Sequence, residues 1–309
     1  MSKLILAAGL FLLSLILGCQ QKPFYSDTRV MLGTYVEVAC EDKSAAPLAF
    51  AEIKRIEGLL SKYNPDSEIS RLNNSGRLAV NPDTFYIIER AKYFWQASDG
   101  AFDITVAPLM DLWGFTDKKY RKPQDSHIKA VLGLIGSDKI ILDKDKFVVE
   151  LKIPGMKLDL GAIAKGYAVD CAIKRLREKG IKNCLINAGG QIYCLGTKSG
   201  ESWKVAIKDP RSPGLLDKLE LKDQAVATSG DYMQYFTKGK SRYSHIMDPR
   251  SGYPSDSGVA SVTVIAPDGL TADALSTAIF VLGREKGLEL AAKFPKVTVK
   301  IITEDDKQN

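Results

Sequence analysis

The sequence predicts an α+β protein of mostly antiparallel sheets with flanking helices. Two observations lead to this fold class. Between residues 184 and 266 the chain contains many short runs rich in β-branched residues, and tight turns separate them, as expected for antiparallel strands. Helical segments are inserted between groups of these strands. Strands joined by tight turns, with helices between the groups, are typical of α+β domains.

The spacing of apolar residues predicts the helices, and the residues at their ends define their limits. Residues 48–63 carry a single apolar stripe, and an Asn-Pro-Asp segment ends this helix. A second helix covers residues 82–98. A third runs over residues 162–179, where Gly180 closes it in the position that glycine prefers. A fourth covers residues 272–282, and a last helix precedes the final strand.

The strands are predicted from alternating or continuous β-branched runs bounded by turn residues. They cover residues 30–38, 184–187, 191–195, 203–207, 225–228, 232–237, 241–246, 258–266 and 297–302. Residues 139–151 are expected to form a hairpin around a charged turn. The polar stretch 114–127 is interpreted as a surface excursion with a solvated His127.

The N-terminus has the pattern of an export signal. Lys3 precedes an apolar run from Leu4 to Leu17, which is too short to span a bilayer and fits a signal peptide. The run ends in Gly18 and Cys19, which resembles a bacterial lipobox in which the cysteine carries lipid. An ordinary secretory signal with a chance cysteine is the alternative, but Cys19 stands where cleavage would fall.

This interpretation divides the chain into four segments. They are a lipoprotein signal peptide (1–18), a tether (19–28), a single domain (29–303) and a polar tail (304–309). The chain would then be exported and attached to a membrane through lipid on Cys19, facing the periplasm.

Charge and cysteine content exclude other classes of function. The 43 basic and 37 acidic residues are spread along the chain without an arginine-rich block, so nucleic acid is not an expected partner. The cysteines after Cys19 form no CxxC pair and have no histidine at metal-ligand spacing, which argues against zinc. Cys184 and Cys194 flank a Gly-Gly turn. They could face each other as a disulfide, although we favour two buried thiols.

One helical segment has the pattern of a cation site. Asp273, Ser276 and Thr277 stand at i, i+3 and i+4, so their oxygens share one helix face. A carboxylate beside hydroxyls suits a hard cation, and a backbone carbonyl of the Gly161-Ala162 turn could complete the set of ligands. Alone, an acid early in a helix commonly only offsets the helix dipole.

A lone histidine and a lysine indicate chemistry on a phosphate compound. His245 follows a predicted strand and precedes a Pro- and Gly-containing loop, where a neutral imidazole could accept a proton. Lys165 lies near a helix N-terminus, where a phosphate or Asp159 could hold it. A structural histidine and a surface lysine are the alternatives. Neither the Walker nor the Rossmann glycine pattern occurs.

Eight short motifs in a fixed order carry a resemblance to a known family. They are Met31-Leu-Gly-Thr34, Asp66-Ser-Glu-Ile-Ser-Arg-Leu-Asn73, Gly100-Ala-Phe-Asp103, Asp159-Leu-Gly-Ala-Ile-Ala-Lys-Gly166, Asn187-Ala-Gly-Gly190, Ser229-Gly-Asp231, His245-Ile-Met-Asp-Pro249 with Gly252, and Ala272-Asp-Ala-Leu-Ser-Thr277. Together they resemble the ApbE flavin-transferase family over nearly all of the chain after the signal. The resemblance implies an ApbE-like fold, related to the T-fold. One departure is Ser251, where the family's motif has threonine.

The resemblance also implies an activity and a site. Such enzymes use Mg²⁺ to transfer FMN from FAD onto a threonine hydroxyl of an acceptor protein, including subunits of membrane redox complexes, and AMP leaves. Matching positions assign Mg²⁺ to the carbonyl of Ala162, Asp273 and Thr277, with Ser276 as a lesser candidate. They assign FAD contacts to Met31, Tyr63, Ala101, Phe102, Asp103, Asp159, Lys165 and Ile246. His245 would be the base. The alternatives are an FAD pyrophosphatase and a non-catalytic FAD-binding lipoprotein.

Overall fold

The computed structural model of the chain describes residues 24–239, 241–304 and 306. The predicted signal peptide, Cys19 and the first part of the predicted tether lie outside the described residues. Strand β1 starts at Tyr25, so the end of the segment predicted as a tether is part of the folded sheet. In the described part of the chain, no helix has the length and apolar character that crossing a bilayer requires.

Helices and strands follow each other in groups, as predicted. The helices are α1 (Ala45–Leu60), α2 (Glu68–Ser75), α3 (Pro82–Ala97), α4 (Ala107–Trp113), α5 (Asp125–Leu132), α6 (Ala164–Glu178), α7 (Gly269–Leu282) and α8 (Arg284–Ala292). The strands are β1 (Tyr25–Met31), β2 (Thr34–Cys40), β3 (Arg77–Ala79), β4 (Ile140–Asp143), β5 (Val148–Leu151), β6 (Cys184–Ala188), β7 (Gln191–Leu195), β8 (Trp203–Lys208), β9 (Leu215–Leu221), β10 (Gln224–Gly230), β11 (Tyr235–Lys238), β12 (Ser241–Ser244), β13 (Met247–Asp248), β14 (Tyr253–Pro254), β15 (Val259–Ala266) and β16 (Thr298–Thr303).

A seven-stranded antiparallel sheet organises the domain, in the order β1-β2-β6-β7-β10-β15-β16. Helices cover one face: α7 packs on β10 and β15, and α6 packs between α7 and α1. The hairpin β8–β9 covers part of the other face, where Trp203 packs against Cys194 and Val226. The predicted α+β class with mostly antiparallel sheet is therefore confirmed.

The segment predicted as one strand over residues 30–38 is a hairpin of two strands. Leu32 and Gly33 separate β1 from β2, and both have positive φ angles, of 54° and 70°. This is the turn geometry that best matches the twist of antiparallel strands. The amide of Leu32 donates to Oε1 of Glu57 on α1 at 2.7 Å, which ties the turn to the helix layer. Val30 before the turn and Thr34, Val36 and Val38 after it share one alternating pattern, so the sequence resembles a single strand.

The cysteine prediction is wrong for Cys184. Cys184 pairs with Leu195 across β6 and β7, so Cys184 and Cys194 lie on opposite faces of the sheet. Cys184 instead stands opposite Cys40 on β2 and forms a disulfide with it. Cys194 is a free, buried thiol, as favoured. The disulfide joins cysteines 144 residues apart, and closing so long a loop typically stabilises a domain by about 2–4 kcal/mol.

Helices α6 and α7 cross at two glycines. A Cβ on Gly166 would lie 2.1 Å from the carbonyl oxygen of Gly269, so only glycine permits this approach. Asp170 of α6 accepts hydrogen bonds from the amides of Gly269 (2.6 Å) and Leu270 (2.8 Å). Two of the unpaired amides at the start of α7 are satisfied in this way. The crossing therefore sets the position of α7 along α6.

Replacing Gly166 by alanine is expected to force the two helices apart. The added methyl meets backbone atoms of α7 that cannot move independently, and overpacking of this kind costs about 1–3 kcal/mol or more. Urea unfolding followed by circular dichroism measures the change. Gly58→Ala is the matched control, since Gly58 is exposed on α1 with no atom within 4 Å of a new Cβ. It should stabilise by about 0.5–1 kcal/mol. Equal stability of the two variants contradicts the close crossing.

Candidate functional site

A cavity of about 320 Å³ collects predicted site residues from five separate parts of the chain. Met31 and the lesser candidate Ser276 do not line it, and all the other predicted site residues do. The N-terminal half of α7 and the turn before α6 form one wall, and the loop after β12 forms another. Residues more than 200 positions apart are therefore neighbours here, which the order of motifs in the sequence does not show.

Asp273 is the most deeply buried carboxylate that lines this cavity, with 2% of its surface exposed. Helix α7 starts at Gly269, so Asp273 stands in the second turn and not at the helix start. Its Oδ2 accepts from the amide of Gly166 at 3.0 Å, and its Oδ1 accepts from Nε2 of Gln191 at 2.8 Å. Burial raises the pKa of Asp273, while the charge of Lys165 and the Gly166 amide oppose the rise.

The hydroxyls beside Asp273 divide into a structural one and an accessible one. Ser276 is fully buried, and its Oγ donates to the carbonyl of Asp273 at 2.9 Å. Ser229 of β10 bridges this side chain to Thr277, with Oγ 2.8 Å from Ser276 Oγ and 3.3 Å from Thr277 Oγ1. Thr277 lines the cavity, as does Ser229. Of the two helix hydroxyls, Thr277 is thus the one that a ligand in the cavity can reach.

The donor set around Asp273 fits a hard cation. In the part of the chain that the structure describes, no three His, Cys, Asp or Glu side chains come together as a metal site, so neutral oxygens must complete the set. Ala162 and Thr277 line the same cavity as Asp273. Oε1 of Gln191, which also lines it, is buried without a hydrogen-bond partner. An unpaired buried oxygen beside a carboxylate is the environment that an oxygen-binding cation would satisfy.

Asp159 is paired with a lysine that the sequence did not indicate. Nζ of Lys62 lies 2.7 Å from Oδ2 of Asp159, and both side chains are largely buried. Burial by itself would lower the pKa of Lys62, but the attraction of Asp159 outweighs it and the pKa is raised. The possible pair of Lys165 with Asp159 is therefore not formed, because Lys62 takes that place. Nζ of Lys165 donates to the carbonyl of Gly161 at 2.8 Å, and Lys165 lines the cavity as a cation without a carboxylate partner among its hydrogen bonds.

Asp103 holds its loop in place with its carboxylate. Oδ1 accepts from the amide and hydroxyl of Thr105 at 2.8 and 2.7 Å, and from the hydroxyl of Ser137 at 2.7 Å. Oδ2 accepts from the Ser137 amide at 3.0 Å. Burial nevertheless raises the pKa of Asp103, against the effect of these hydrogen bonds. These bonds fix the loop that carries Ala101 and Phe102 along the cavity wall.

His245 follows β12 and faces the cavity as a neutral imidazole. Its amide and its Nδ1 both lie within hydrogen-bond distance of the Gln234 carbonyl, at 3.0 and 3.1 Å. A carbonyl can only accept, so we assign the proton to Nδ1, which leaves Nε2 with a free lone pair. Burial lowers the pKa of His245 from its usual value near 6.5 to about 4. The Gln234 hydrogen bond opposes this shift, and Lys165 adds to it.

Tyr63 stands at the mouth of the cavity, next to a second one. The second cavity, of about 380 Å³, shares Tyr63, Asp159, Gly161 and Lys165 with the first. Its other wall includes the turn between β1 and β2. Met31 is at the end of β1, lines neither of these two cavities and packs against the main hydrophobic core. Ile246 lines the first cavity as predicted.

Lys62 and Gln191 were not singled out from the sequence, and Ser229 was noted there only as part of the Ser229-Gly-Asp231 motif. Each one stands beside or within a segment that was noted, because Lys62 precedes Tyr63 and Gln191 follows the Gly189-Gly190 turn. Ser229 lies inside β10, close to its end. Only the register of β7 and β10 shows that Gln191 and Ser229 face Asp273 and Thr277.

Motif residues outside the cavity support its loops. Asn73 forms two hydrogen bonds with the backbone of Leu158, at 2.7 and 3.0 Å, and so holds the segment that leads to Asp159. Asp231 lines no part of the cavity and instead binds Arg211 through two hydrogen bonds of 2.6 and 2.7 Å. These motif positions are therefore explained by loop placement.

The chain is similar to known proteins over most of its length. The chain is 37% identical to the FAD:protein FMN transferase of Klebsiella pneumoniae over 270 residues, which cover 85% of this chain and 84% of that protein. The crystal structure of the ApbE protein from Thermotoga maritima superposes with a TM-score of 0.85 at 36% identity, and covers 91% of this chain and 95% of its own.

The flavin transferase ApbE from Vibrio cholerae is a second structural relative, with a TM-score of 0.82 and 30% identity. The match covers 92% of this chain and 94% of that one. The sequence model of the ApbE family matches residues 32–301. This chain belongs to the ApbE family.

Proposed function

We propose that the chain transfers the FMN part of FAD to a threonine hydroxyl of an acceptor protein, with Mg²⁺ as cofactor and AMP as the second product. Membership of the ApbE family and its relatives named FAD:protein FMN transferase support flavin transfer. The observation that carries the mechanism is that His245 lines the same cavity as Asp273 and Thr277, with Nδ1 bonded to the Gln234 carbonyl and Nε2 free.

His245 is suited to accept the proton of the attacking hydroxyl. The threonine Oγ attacks the phosphorus that bears riboflavin, and an Oγ–P bond forms. The bond from this phosphorus to the bridging oxygen breaks, and this oxygen leaves with AMP. The hydroxyl proton passes to Nε2 of His245, which the Gln234 carbonyl orients through Nδ1. Because its pKa is lowered to about 4, the imidazole is neutral and able to accept a proton at pH 7.

The remaining groups bind and orient the diphosphate. When bound, Mg²⁺ would supply charge neutralisation on the diphosphate oxygens, held by Asp273, Thr277 and the Ala162 carbonyl. Lys165 offers a second positive charge beside them. Two adjoining cavities that share Lys165 leave room for a dinucleotide on both sides of its phosphates. Burial strengthens each of these interactions relative to water.

Flavin transfer is tested by mass spectrometry of an acceptor domain incubated with the protein, FAD and Mg²⁺. We expect the acceptor to gain one FMN on a threonine. Asp273→Ala should abolish transfer with the fold retained, and His245→Ala should reduce kcat by about 10²–10⁴-fold, the usual contribution of a general base. Circular dichroism checks the folding of both variants.

Two other outcomes of this experiment would contradict the proposal. Release of AMP and free FMN without an acceptor identifies an FAD pyrophosphatase that uses water in the same cavity. FAD binding without Mg²⁺-dependent release of AMP identifies a flavin-binding lipoprotein without catalysis. Full activity of Asp273→Ala would contradict the assignment of Asp273 as a ligand of Mg²⁺.

The protonation state of His245 is measured directly by NMR of the protein without FAD or metal. With ¹³C- and ¹⁵N-labelled histidine rings, the chain shows two imidazoles, and His127→Gln identifies the signal of His245. We expect it to titrate near pH 4, as the neutral Nδ1–H form at higher pH, because burial disfavours the charged ring. A midpoint at or above about 6.5, the usual value, or an Nε2–H tautomer would exclude it as the base in the manner described.

We also propose that the protein is an exported lipoprotein and that its acceptor is a subunit of a membrane redox complex. The apolar run before Cys19 supports export, and the Cys40–Cys184 disulfide suits an oxidising compartment. Cells that make the protein should incorporate labelled palmitate into it, and Cys19→Ser should abolish incorporation. Equal labelling of this variant contradicts the anchor; the matched control Cys171→Ser should label like the wild type.

A further inference from the structure

Gln191 carries a buried oxygen whose bonding is incomplete. Among the described residues, the buried side-chain oxygens without a hydrogen-bond partner are Thr84 Oγ1, Gln191 Oε1 and Ser244 Oγ. Of these three residues, Gln191 is the one that lines the cavity. It is 5% exposed, so bulk water does not provide the missing partner. Leaving an amide oxygen unpaired destabilises the fold, and such a group calls for a functional explanation.

The orientation of the Gln191 amide is set by its neighbours. Nε2 donates to Oδ1 of Asp273 at 2.8 Å, which places the amide nitrogen against the carboxylate and leaves Oε1 as the unpartnered atom of the amide. The backbone is equally constrained. Gln191 is the first residue of β7, paired with Ala188 across the turn, and Asn187 Oδ1 accepts from the Gly190 amide at 2.9 Å. Oε1 is therefore presented at a defined place beside Asp273.

We propose that Oε1 of Gln191 is a further ligand of the divalent cation, supplied by β7 to the site that Asp273 and Thr277 form on α7. This inference rests on the proposed function, which requires a cation at Asp273. Mg²⁺ and Mn²⁺ accept neutral amide oxygens beside a carboxylate. Of the carboxylates that line the cavity, Asp159 is paired with Lys62 and Asp103 is bonded to Thr105 and Ser137, whereas Asp273 is the one bonded to Gln191. An uncharged oxygen beside it adds coordination without adding charge.

A purely supporting role for Gln191 predicts different behaviour. In that case only the Nε2–H matters, since it would orient Asp273. Gln191→Met keeps the length of the side chain and removes both the oxygen and the N–H. Gln191→Glu keeps an oxygen that can bind a cation and removes the N–H donor. The two variants therefore separate ligation from orientation.

Binding of Mn²⁺ to the protein without FAD is measured by EPR of the free ion. We expect the wild type to bind, and Gln191→Met to bind at least about 10-fold more weakly, the loss that removal of a group supporting a metal typically causes. Gln191→Glu should bind at least as tightly as the wild type, because a carboxylate attracts the cation more strongly. Thr84→Val is the matched control: it removes an equally buried, unpartnered oxygen that does not line the cavity, and should not change the affinity.

The outcomes separate this inference from the function on which it rests. If the wild type binds no Mn²⁺, or if Asp273→Ala binds as the wild type does, the cation site itself is wrong and the inference falls with it. If Asp273→Ala loses binding while Gln191→Met does not, only the role of Gln191 is refuted. If Gln191→Glu binds Mn²⁺ as weakly as Gln191→Met does, and circular dichroism shows that both variants are folded, Gln191 acts through its N–H alone. That result also refutes ligation.

Discussion

The site depends on the close crossing of α6 and α7. Because Gly166 has no side chain, its backbone approaches Gly269 closely enough for its own amide to reach the carboxylate of Asp273. The crossing therefore brings the start of α6, with Lys165 and Ala162, against the second turn of α7. Asp170 fixes the same contact from outside by accepting from the first amides of α7. Any side chain at position 166 would prevent this close approach of the two helices.

The electrostatics of the cavity follow from burial combined with unequal pairing. Lys62 and Asp159 satisfy each other, so they add little net charge. Asp273 has dipolar partners but no paired cation, and burial makes its bare negative charge unfavourable. His245 lies in the same cavity and is kept neutral by burial. A cation at Asp273 and a base at His245 are the two groups that the proposed attack of a hydroxyl on a diphosphate would need.

Three segments of the structure differ from the pattern that their residues suggest, each for a physical reason. The hairpin turn at Leu32 and Gly33 was missed because the pattern of β-branched residues does not stop there. Helix α2 was missed because it is short and contains only two apolar residues, Ile69 and Leu72. Helix α5 begins at Asp125, within the polar stretch that we took for a surface excursion. Short, mostly polar helices are stabilised by capping and by contact with the domain, and neither produces a strong period in the sequence.

The sequence by itself determined the fold class, the position of the longer helices and half of the residues that line the cavity. Hydrophobic periodicity and short motifs are local properties, so the helix face of Asp273 and Thr277 and the loop after His245 could be identified from the residues alone. Tertiary structure decided the partners: Cys40 rather than Cys194 for Cys184, Lys62 rather than Lys165 for Asp159, and Gln191 for Asp273. Each of these pairs depends on sheet register or helix crossing between segments about 80 to 145 residues apart, and no local pattern encodes such contacts.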